Sequence, residues 1–340
     1  MEEMPKLDKK DSRILHELDY NARIGLKELG KRVGLSPQMA KYRVDRLCKN
    51  GVIRGSMAVV DFHRLGFYTY RAYLRFQKTT EKEEKGIIEY FVRHPRTIWV
   101  TSSSGRWDME VVFLAKNPMQ VNEFLRAMKK GLGEKVRSYS VSPAMVNYHF
   151  GRAYLGGGGE RKTPKYGGEL PVEELDKADL RIMKELSLDA WVSNQEIAKK
   201  VGLSFNTVKA RIAGLEKRGV IQAYRIFVDL GKIGRTFYKA MISSGGIGEE
   251  EEQGMVSFCM REDSVVYLVE TAGEWDLEVE AEVRDEEEFR GIMGRFRNAF
   301  SGVIRDYEIL HIYKEHKINY FPMADEMVAT ASGQVKKSSA

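Results

Sequence analysis

The 340-residue sequence has little cysteine and no long apolar run. Cys48 and Cys259 are its only cysteines, and neither has a partner at metal-ligand spacing. This excludes a disulfide framework and fits a reducing compartment, so we expect a cytoplasmic protein. No apolar stretch approaches the roughly 18 residues that a membrane-spanning helix needs. The first ten residues are charged and lack an apolar core, so we expect no secretory signal.

Sequence motifs of catalysis are also missing. The six histidines are scattered, and His311 and His316, five residues apart, are poorly spaced to bind one metal from a helix face. There is no glycine-rich phosphate loop, nucleophile elbow or metal signature. We therefore predict no catalytic residues, no metal and no cofactor.

The sequence does contain a repeat with a fixed step of 168 residues. Four motifs recur: Leu-Asp-Lys at 7–9 and 175–177, Val-Gly-Leu-Ser at 33–36 and 201–204, Gly-Val-Ile at 51–53 and 219–221, and Gly-x-Trp-Asp at 105–108 and 273–276. Between positions 7 and 66, 25 of 60 residues are identical at that step. Because solenoid repeats are only about 20–50 residues long, this is a duplicated pair of domains. If the ancestor was a dimer, one chain now supplies both halves, which are free to diverge.

The patterning of each copy predicts an α+β fold made of two domains. Three short helical patterns, with Gly34-Leu35 as a tight turn and Ser36 as a cap, predict a winged helix-turn-helix. The following β-α-β-β-α-β order is the ferredoxin-like arrangement. We predict helix-turn-helix domains at 1–60 and 172–228, ferredoxin-like domains at 61–155 and 229–320, a flexible linker at 156–171 and a polar tail at 321–340.

The charge is distributed unevenly between the copies. Residues 1–155 carry 29 Lys and Arg against 17 Asp and Glu, a net charge of +12, whereas residues 171–340 carry −7. A basic first half favours a polyanionic partner such as nucleic acid. The alternative is a highly charged, well-solvated surface.

The third helix of each copy is expected to contact duplex DNA. In the first copy its cap and surface positions are polar or basic: Ser36, Gln38, Lys41, Tyr42, Arg43, Arg46 and Lys49. The second copy offers Ser204, Asn206, Lys209, Arg211 and Lys217. Gln pairs with adenine, and Arg and Lys pair with guanine or phosphate. Because Arg46 becomes Gly214 in the second copy, we expect the two helices to read different half-sites.

These motifs, seen in order and twice, resemble the Lrp/AsnC family of transcription regulators over residues 7–142 and 175–310. The resemblance implies a ferredoxin-like domain that dimerises through its sheet and binds amino acids near a Gly-x-Tyr-Asp turn. It implies effector contacts at Thr101, Ser103, Ser104, Gly105, Trp107 and Asp108, and at Thr271, Gly273, Trp275 and Asp276. Glycine leaves backbone open to a ligand carboxylate, and Asp receives an ammonium group. Both turns carry Trp in place of the family's Tyr, so the alternative is that the Trp residues are core and the Asp residues cap the turns.

We therefore predict a sequence-specific regulator that binds double-stranded DNA as an intramolecular pseudo-dimer, with an amino acid as its candidate effector and further homo-oligomers open. Two alternatives remain. Siroheme decarboxylase consists of two Lrp-like subunits, and an enzyme of that kind would show degraded DNA-reading helices and sheet-domain loops rich in His and Arg. An interaction scaffold with the same fold would bind no DNA.

Overall fold

The computed structural model describes residues 7–156 and 165–331 and contains the same α+β unit twice. The first unit comprises α1 (Lys9–Tyr20), α2 (Leu26–Val33), α3 (Pro37–Lys49), β1 (Ile53–Val60), β2 (Tyr68–Phe76), α4 (Glu81–Arg93), β3 (Thr97–Ser104), β4 (Met109–Ala115), α5 (Pro118–Leu132) and β5 (Val136–His149). A short strand, β6 (Lys165–Gly167), follows. The second unit comprises α6 (Lys177–Leu188), α7 (Asn194–Val201), α8 (Phe205–Lys217), β7 (Ile221–Val228), β8 (Thr236–Ser244), α9 (Glu249–Arg261), β9 (Val265–Thr271), β10 (Leu277–Val283), α10 (Glu286–Ala299), β11 (Ile304–Ile318) and α11 (Ala324–Ala331).

Local capping explains where the helices of each helix-turn-helix begin and end. The Asp8 carboxylate accepts hydrogen bonds from the first turn of α1, and the Asp8 amide donates one to the Asp11 carboxylate. Gly34 has a φ of 67° at the end of α2, a conformation that glycine adopts without steric cost. Ser36 then caps α3 through the amide of Met39. In the second copy, Ser193 and Glu196 form a capping box at the start of α7.

Each ferredoxin-like domain is a four-stranded antiparallel sheet covered on one side by two helices. The strand order is β5-β2-β4-β3 in the first copy and β11-β8-β10-β9 in the second. In the first copy, Phe124 on α5 stacks on Phe113 of β4 with ring centroids 3.8 Å apart. Burying side chains of this size contributes about 1.5–3 kcal/mol each and fixes the helices on the sheet.

The two long strands join the two sheets. The first part of β5 pairs with β2 of its own copy, and its end pairs with β9 of the other copy. Likewise, the first part of β11 pairs with β8, and its end pairs with β3. The result is a closed, eight-stranded antiparallel barrel, with β6 added beside β5.

The two helix-turn-helix domains are joined to each other as well. Strands β1 and β7 form a two-stranded antiparallel ribbon, in which Ala58 lies opposite Tyr224. The Arg23 guanidinium donates to the carbonyls of Ala190 and Val192. In return, the indole of Trp191 donates to the carbonyl of Ala22 at 2.8 Å. Arg23 and Trp191 occupy equivalent positions of the repeat, so the contact is made by two different side chains.

The inside of the barrel is filled in layers because alternate residues of each strand point inward. One end contains an aromatic and apolar cluster of Tyr73, Trp107, Met241, Trp275 and Leu310. The next layer is charged and fully buried. There the Lys239 ammonium lies 2.7 Å from Glu110 and 2.9 Å from Glu278, and Arg71 lies 2.7 Å from Glu278. Glu280 joins the layer at 2.7 Å from Arg71.

This charged layer combines two cations with three carboxylates, so it cannot be fully neutral when every group is ionised. Burial raises the pKa of Glu110, and the neighbouring carboxylates add to this effect against the pull of Lys239 and Arg71. Burial acts in the same direction on Glu278, but Arg71 and Lys239 lower the pKa of that residue to about 2. The layer therefore favours an ionised Glu278, and Glu110 takes a proton more readily than Glu278 does.

Three described segments contain secondary structure that the sequence pattern did not indicate. The sequence pattern does not indicate the second part of β5, which continues to His149 because it has a partner strand in the other copy. The linker prediction for 156–171 misses β6, which pairs with β5, and residues 157–164 lie outside the described residues. The tail prediction misses α11, which packs on α6 beside the buried Phe321 and Met323, and residues 332–340 lie outside the described residues. In the two described ranges, no helix has the length and apolar character needed to cross a membrane.

The charged layer predicts unequal costs for two isosteric substitutions. Glu278→Gln should lower the free energy of unfolding by about 3–5 kcal/mol, because it leaves two buried cations short of a carboxylate. Glu110→Gln should lower the free energy of unfolding by at least about 1 kcal/mol less than Glu278→Gln does, because Gln resembles the protonated form that burial favours at position 110. Urea denaturation at pH 7, followed by circular dichroism, measures both values. Equal losses, or a greater loss for Glu110→Gln, would contradict this account of the layer.

Candidate DNA interface and internal cavity

The recognition helix of the first copy presents a polar and basic surface. Gln38, Lys41, Tyr42 and Lys49 are exposed, and Tyr42 retains 60% of its accessible surface. Lys41 makes an ion pair of 2.6 Å with Asp45 on the helix surface, which contributes little in solvent. Ser36 is committed to capping the helix, so it orients α3 through its side chain.

The recognition helix of the second copy presents a different surface. Asn206, Lys209 and Lys217 are exposed, and Phe205 at the helix start retains 49% of its accessible surface. Ser204 caps α8 through the amide of Thr207. Both helices therefore offer an amide and a lysine at equivalent positions, but Tyr42 has no aromatic counterpart because that position is Ala210.

Three arginines predicted to read bases are engaged in ion pairs inside their own domains. Arg43 lies 2.9 Å from Asp11 and 2.7 Å from Asp8, and Arg46 lies 2.6 Å from Asp11. In the second copy Arg211 lies 2.8 Å from both Asp176 and Asp179. These pairs hold the third helix against the start of the first, so the structure gives these arginines a role in shaping the domain.

The two turns expected to bind an effector lie side by side at the aromatic end of the barrel. Arg106 in the first turn pairs with Glu274 in the second. At both glycines of the motif φ lies in the region that favours glycine, 128° at Gly105 and 149° at Gly273. An added Cβ at Gly105 would lie 3.0 Å from the carbonyl oxygen of Ile309, and one at Gly273 would lie 3.0 Å from the Ser142 hydroxyl. Each turn therefore packs closely against a long strand of the other copy.

The side chains of these turns mostly serve the barrel. Trp107 and Trp275 are buried in the aromatic cluster, and Thr101, Ser103 and Thr271 are buried as well, whereas Ser104 is exposed. The Asp108 carboxylate accepts hydrogen bonds from Arg75 and from the amide of Phe76. Asp276 accepts from the amide and hydroxyl of Ser244. This arrangement matches the alternative in which Trp is core and Asp secures the turn, and effector binding there stays a prediction.

A cavity of about 720 Å³ lies between the ribbon of β1 and β7 and the other end of the barrel. All eight barrel strands contribute to its wall. The wall contains five arginines and three histidines: Arg54, Arg71, Arg152, Arg225, Arg235, His63, His149 and His311. This volume is typical of small-molecule sites, which span roughly 300–1,000 Å³.

Electrostatics keep at least one of these histidines neutral. His149 stacks on Tyr267 with ring centroids 4.2 Å apart. Burial, with the nearby Arg225 and Arg152, holds the pKa of His149 well below its usual range. Within the described residues, no group of three or more His, Cys, Asp or Glu side chains is arranged to hold a metal ion.

Sequence reasoning missed this cavity. Its residues come from strands of both copies, and the wall forms only when the barrel closes and the ribbon covers it. Arg and His at inward positions of strands were the only local signal, and it was scattered over more than 250 residues.

Comparison with known proteins identifies the helix-turn-helix domains directly. The winged helix-turn-helix DNA-binding family pattern matches residues 7–54 and 175–222. An uncharacterised HTH-type transcriptional regulator of Pyrococcus furiosus is 31% identical over 154 residues, which are 45% of this chain and 99% of that protein. The HTH-type transcriptional regulator FL11 of the same organism is 30% identical over 119 residues, which are 35% of this chain and 78% of that protein. Each relative matches less than half of this chain.

A solved structure matches the whole tandem arrangement. The siroheme decarboxylase NirDL aligns with 95% of this chain and 99% of its own, with a TM-score of 0.62. The sequence identity is 13%, so the likeness concerns the fold.

The ion pairs of α3 predict a contrast between two neighbouring substitutions. Arg43→Ala should lower the free energy of unfolding by about 1–3 kcal/mol, because the buried Asp11 then keeps only Arg46 as a charged partner. Lys41→Ala should change it by no more than about 0.5 kcal/mol, because its ion pair is exposed. Urea denaturation of both variants checks the contrast. A stable Arg43→Ala protein would mean that Arg43 is not needed for folding.

Proposed function

Because the chain belongs to the Lrp/AsnC family of HTH-type transcriptional regulators, we propose that it binds DNA as an intramolecular pseudo-dimer with two non-identical half-sites. One chain is then the smallest complete binding unit, and it acts in the cytoplasm. The observation that carries the proposal is the difference between two recognition helices that are held in one body.

The exposed residues support half-sites of different sequence. In the first copy, Gln38 and Lys41 are accompanied by the exposed Tyr42, and in the second, Asn206 and Lys209 are accompanied by the exposed Phe205. Amide and lysine side chains at the start of a recognition helix are placed to reach base edges in the major groove. Because the aromatic neighbours differ, the two helices favour different base steps.

The contacts between the two helix-turn-helix domains support simultaneous binding. The β1–β7 ribbon and the Arg23–Trp191 contact tie the domains together. A binding unit of fixed geometry does not lose orientational freedom on reaching its second half-site, so both helices contribute to affinity.

We also propose that a small molecule modulates DNA binding. An amino acid bound at the two turns would have to displace Arg75 from Asp108 or Ser244 from Asp276. The free energy lost with those hydrogen bonds would reduce the affinity of the turns for an amino acid.

Unequal half-sites predict unequal effects of paired substitutions. Gln38→Ala with Lys41→Ala should weaken operator binding by about tenfold or more. Asn206→Ala with Lys209→Ala should weaken it less, because residues 175–222 carry nine Lys and Arg against six Asp and Glu, whereas residues 7–54 carry twelve against six and so contribute more to phosphate binding. Gel-shift titrations at two salt concentrations, on a sequence selected from a random duplex pool, measure both.

Lys82→Ala is the matched control, because Lys82 is an exposed lysine on α4, away from the helix-turn-helix domains. It should leave binding unchanged. Equal effects of the two double variants, or a palindromic selected sequence, would contradict non-identical half-sites, and no enriched sequence at all would favour the scaffold alternative.

One observation favours a second candidate, an enzyme resembling siroheme decarboxylase: the cavity wall is rich in His and Arg, the residue types expected for that function. We nevertheless propose that the chain is not an enzyme, because both recognition helices keep exposed DNA-reading side chains. The purified chain should therefore show no Soret absorption and no change in the spectrum of added siroheme. A Soret band in the purified protein, or decarboxylation of added siroheme, would reverse this ranking.

A further inference from the structure

Buried polar atoms without partners are concentrated in the cavity wall. Of thirteen buried side-chain atoms that lack a hydrogen-bond partner in the described part of the chain, six belong to this wall. They are Thr69 Oγ1, Arg71 Nε, His63 Nε2, His149 Nδ1, the Tyr166 hydroxyl and Arg225 Nε. Each such atom costs about 1–3 kcal/mol if nothing satisfies it. Because these six atoms line one cavity, whatever fills it, solvent or a ligand, can supply the missing partners.

The carboxylates of the wall are already engaged. Glu280 pairs with Arg71, and Glu282 accepts hydrogen bonds from Arg152 and Tyr154. Glu315 accepts one from the Trp99 indole at 2.6 Å, and burial raises its pKa. Asp61 accepts from the amide of His63. The negative charge of the wall is therefore largely compensated by the protein itself.

Three cations of the wall are much less engaged. The Arg225 guanidinium has one contact of 3.3 Å with Asp19, whose carboxylate already binds Arg152 at 2.6 Å. Arg54 and Lys314 are exposed where they line the cavity, and neither forms an ion pair with another described residue. The uncommitted charge facing the cavity is thus positive, with Arg225 inside and Arg54 and Lys314 toward solvent.

The remaining wall is aromatic and apolar. Trp99 and Phe237 lie edge to face at 5.9 Å, and His149 and Tyr267 form the stacked pair described above. We propose that this cavity binds a small organic anion with an apolar ring body, with its acidic group on Arg225, His149 and Tyr166. The inference names a ligand class and a place that differ from those of an amino acid at the turns.

The two copies contribute different side chains to the wall. At equivalent positions of the repeat, Met57 corresponds to Arg225, Thr69 to Phe237 and Val112 to Glu280. An assembly of identical copies would place two arginines or two methionines across the axis. The single Arg225 therefore gives the cavity one charged side, which suits a ligand with an acidic group at one end.

The position of the cavity links the ligand to DNA binding. Its roof is the β1–β7 ribbon that connects the two recognition domains, so an occupant contacts both at once. This regulatory consequence rests on the proposed function, whereas ligand binding itself does not.

The test uses 8-anilinonaphthalene-1-sulfonate on the full chain, with N-phenyl-1-naphthylamine as its neutral counterpart of the same ring system. Fluorescence titration should give one sulfonate site per chain, at least about tenfold tighter than the neutral compound. Arg225→Gln and Tyr166→Phe should weaken the sulfonate by about tenfold and leave the neutral compound unchanged, with unchanged thermal unfolding. Tyr70→Phe is the matched control, because Tyr70 lies on β2 outside the wall.

If Arg225→Gln fails to fold, the affinities for the sulfonate and for the neutral compound are compared in Tyr166→Phe and in Lys314→Gln, whose side chain is exposed. Equal binding of both compounds, no binding, or sulfonate affinity indifferent to these variants overturns the inference. Saturating sulfonate should also change operator affinity by about fivefold or more in a gel shift, and no change overturns the regulatory part. A chain that shifts DNA but binds no sulfonate refutes this inference alone, and a chain that binds sulfonate but never shifts DNA refutes the proposed function alone.

Discussion

The exchange of two strand ends between the copies determines most of the molecule. β5 and β11 each begin in their own sheet and end in the other, which converts two open four-stranded sheets into one closed barrel. Closure removes the sheet edges that would otherwise expose unpaired backbone groups. Closure also places the uncovered face of each sheet inside the barrel. Polar side chains that would otherwise contact water must therefore form ion pairs and hydrogen bonds with one another.

The charged layer follows from that sharing. Arg71 and Lys239 are equivalent residues, as are Glu110 and Glu278, and each cation is bound by carboxylates from both copies. Each copy supplies one cation and one carboxylate that already pair with each other, and closing the barrel buries both pairs and adds the contacts between copies. The layer therefore couples the folding of the two sheet domains, and it also forms the floor of the cavity beneath the ribbon.

Local structure was largely predictable from the sequence, because helix periodicity, caps and strand alternation are encoded within a few residues of one another. The limits of β2 and α4, for example, follow from short-range pattern. The sequence could not show which distant strand or side chain each element would pair with. The end of β5 has no pairing strand until the barrel closes, and Arg43 reads as a DNA-contacting residue until Asp11, on another helix, is seen beside it. The cavity could not be predicted for the same reason, since the residues of its wall come from both copies.

The Arg23–Trp191 contact has a further consequence for which halves can pair. The guanidinium needs carbonyls from the turn of the other copy, and the indole needs a carbonyl in return. The guanidinium also donates to the side-chain oxygen of Asn194 at 2.7 Å. If two first copies met as separate chains, the equivalent position would be Leu26, which has no acceptor to offer. This part of the contact therefore favours the pairing of unlike halves, so the duplication fixes which turn meets which.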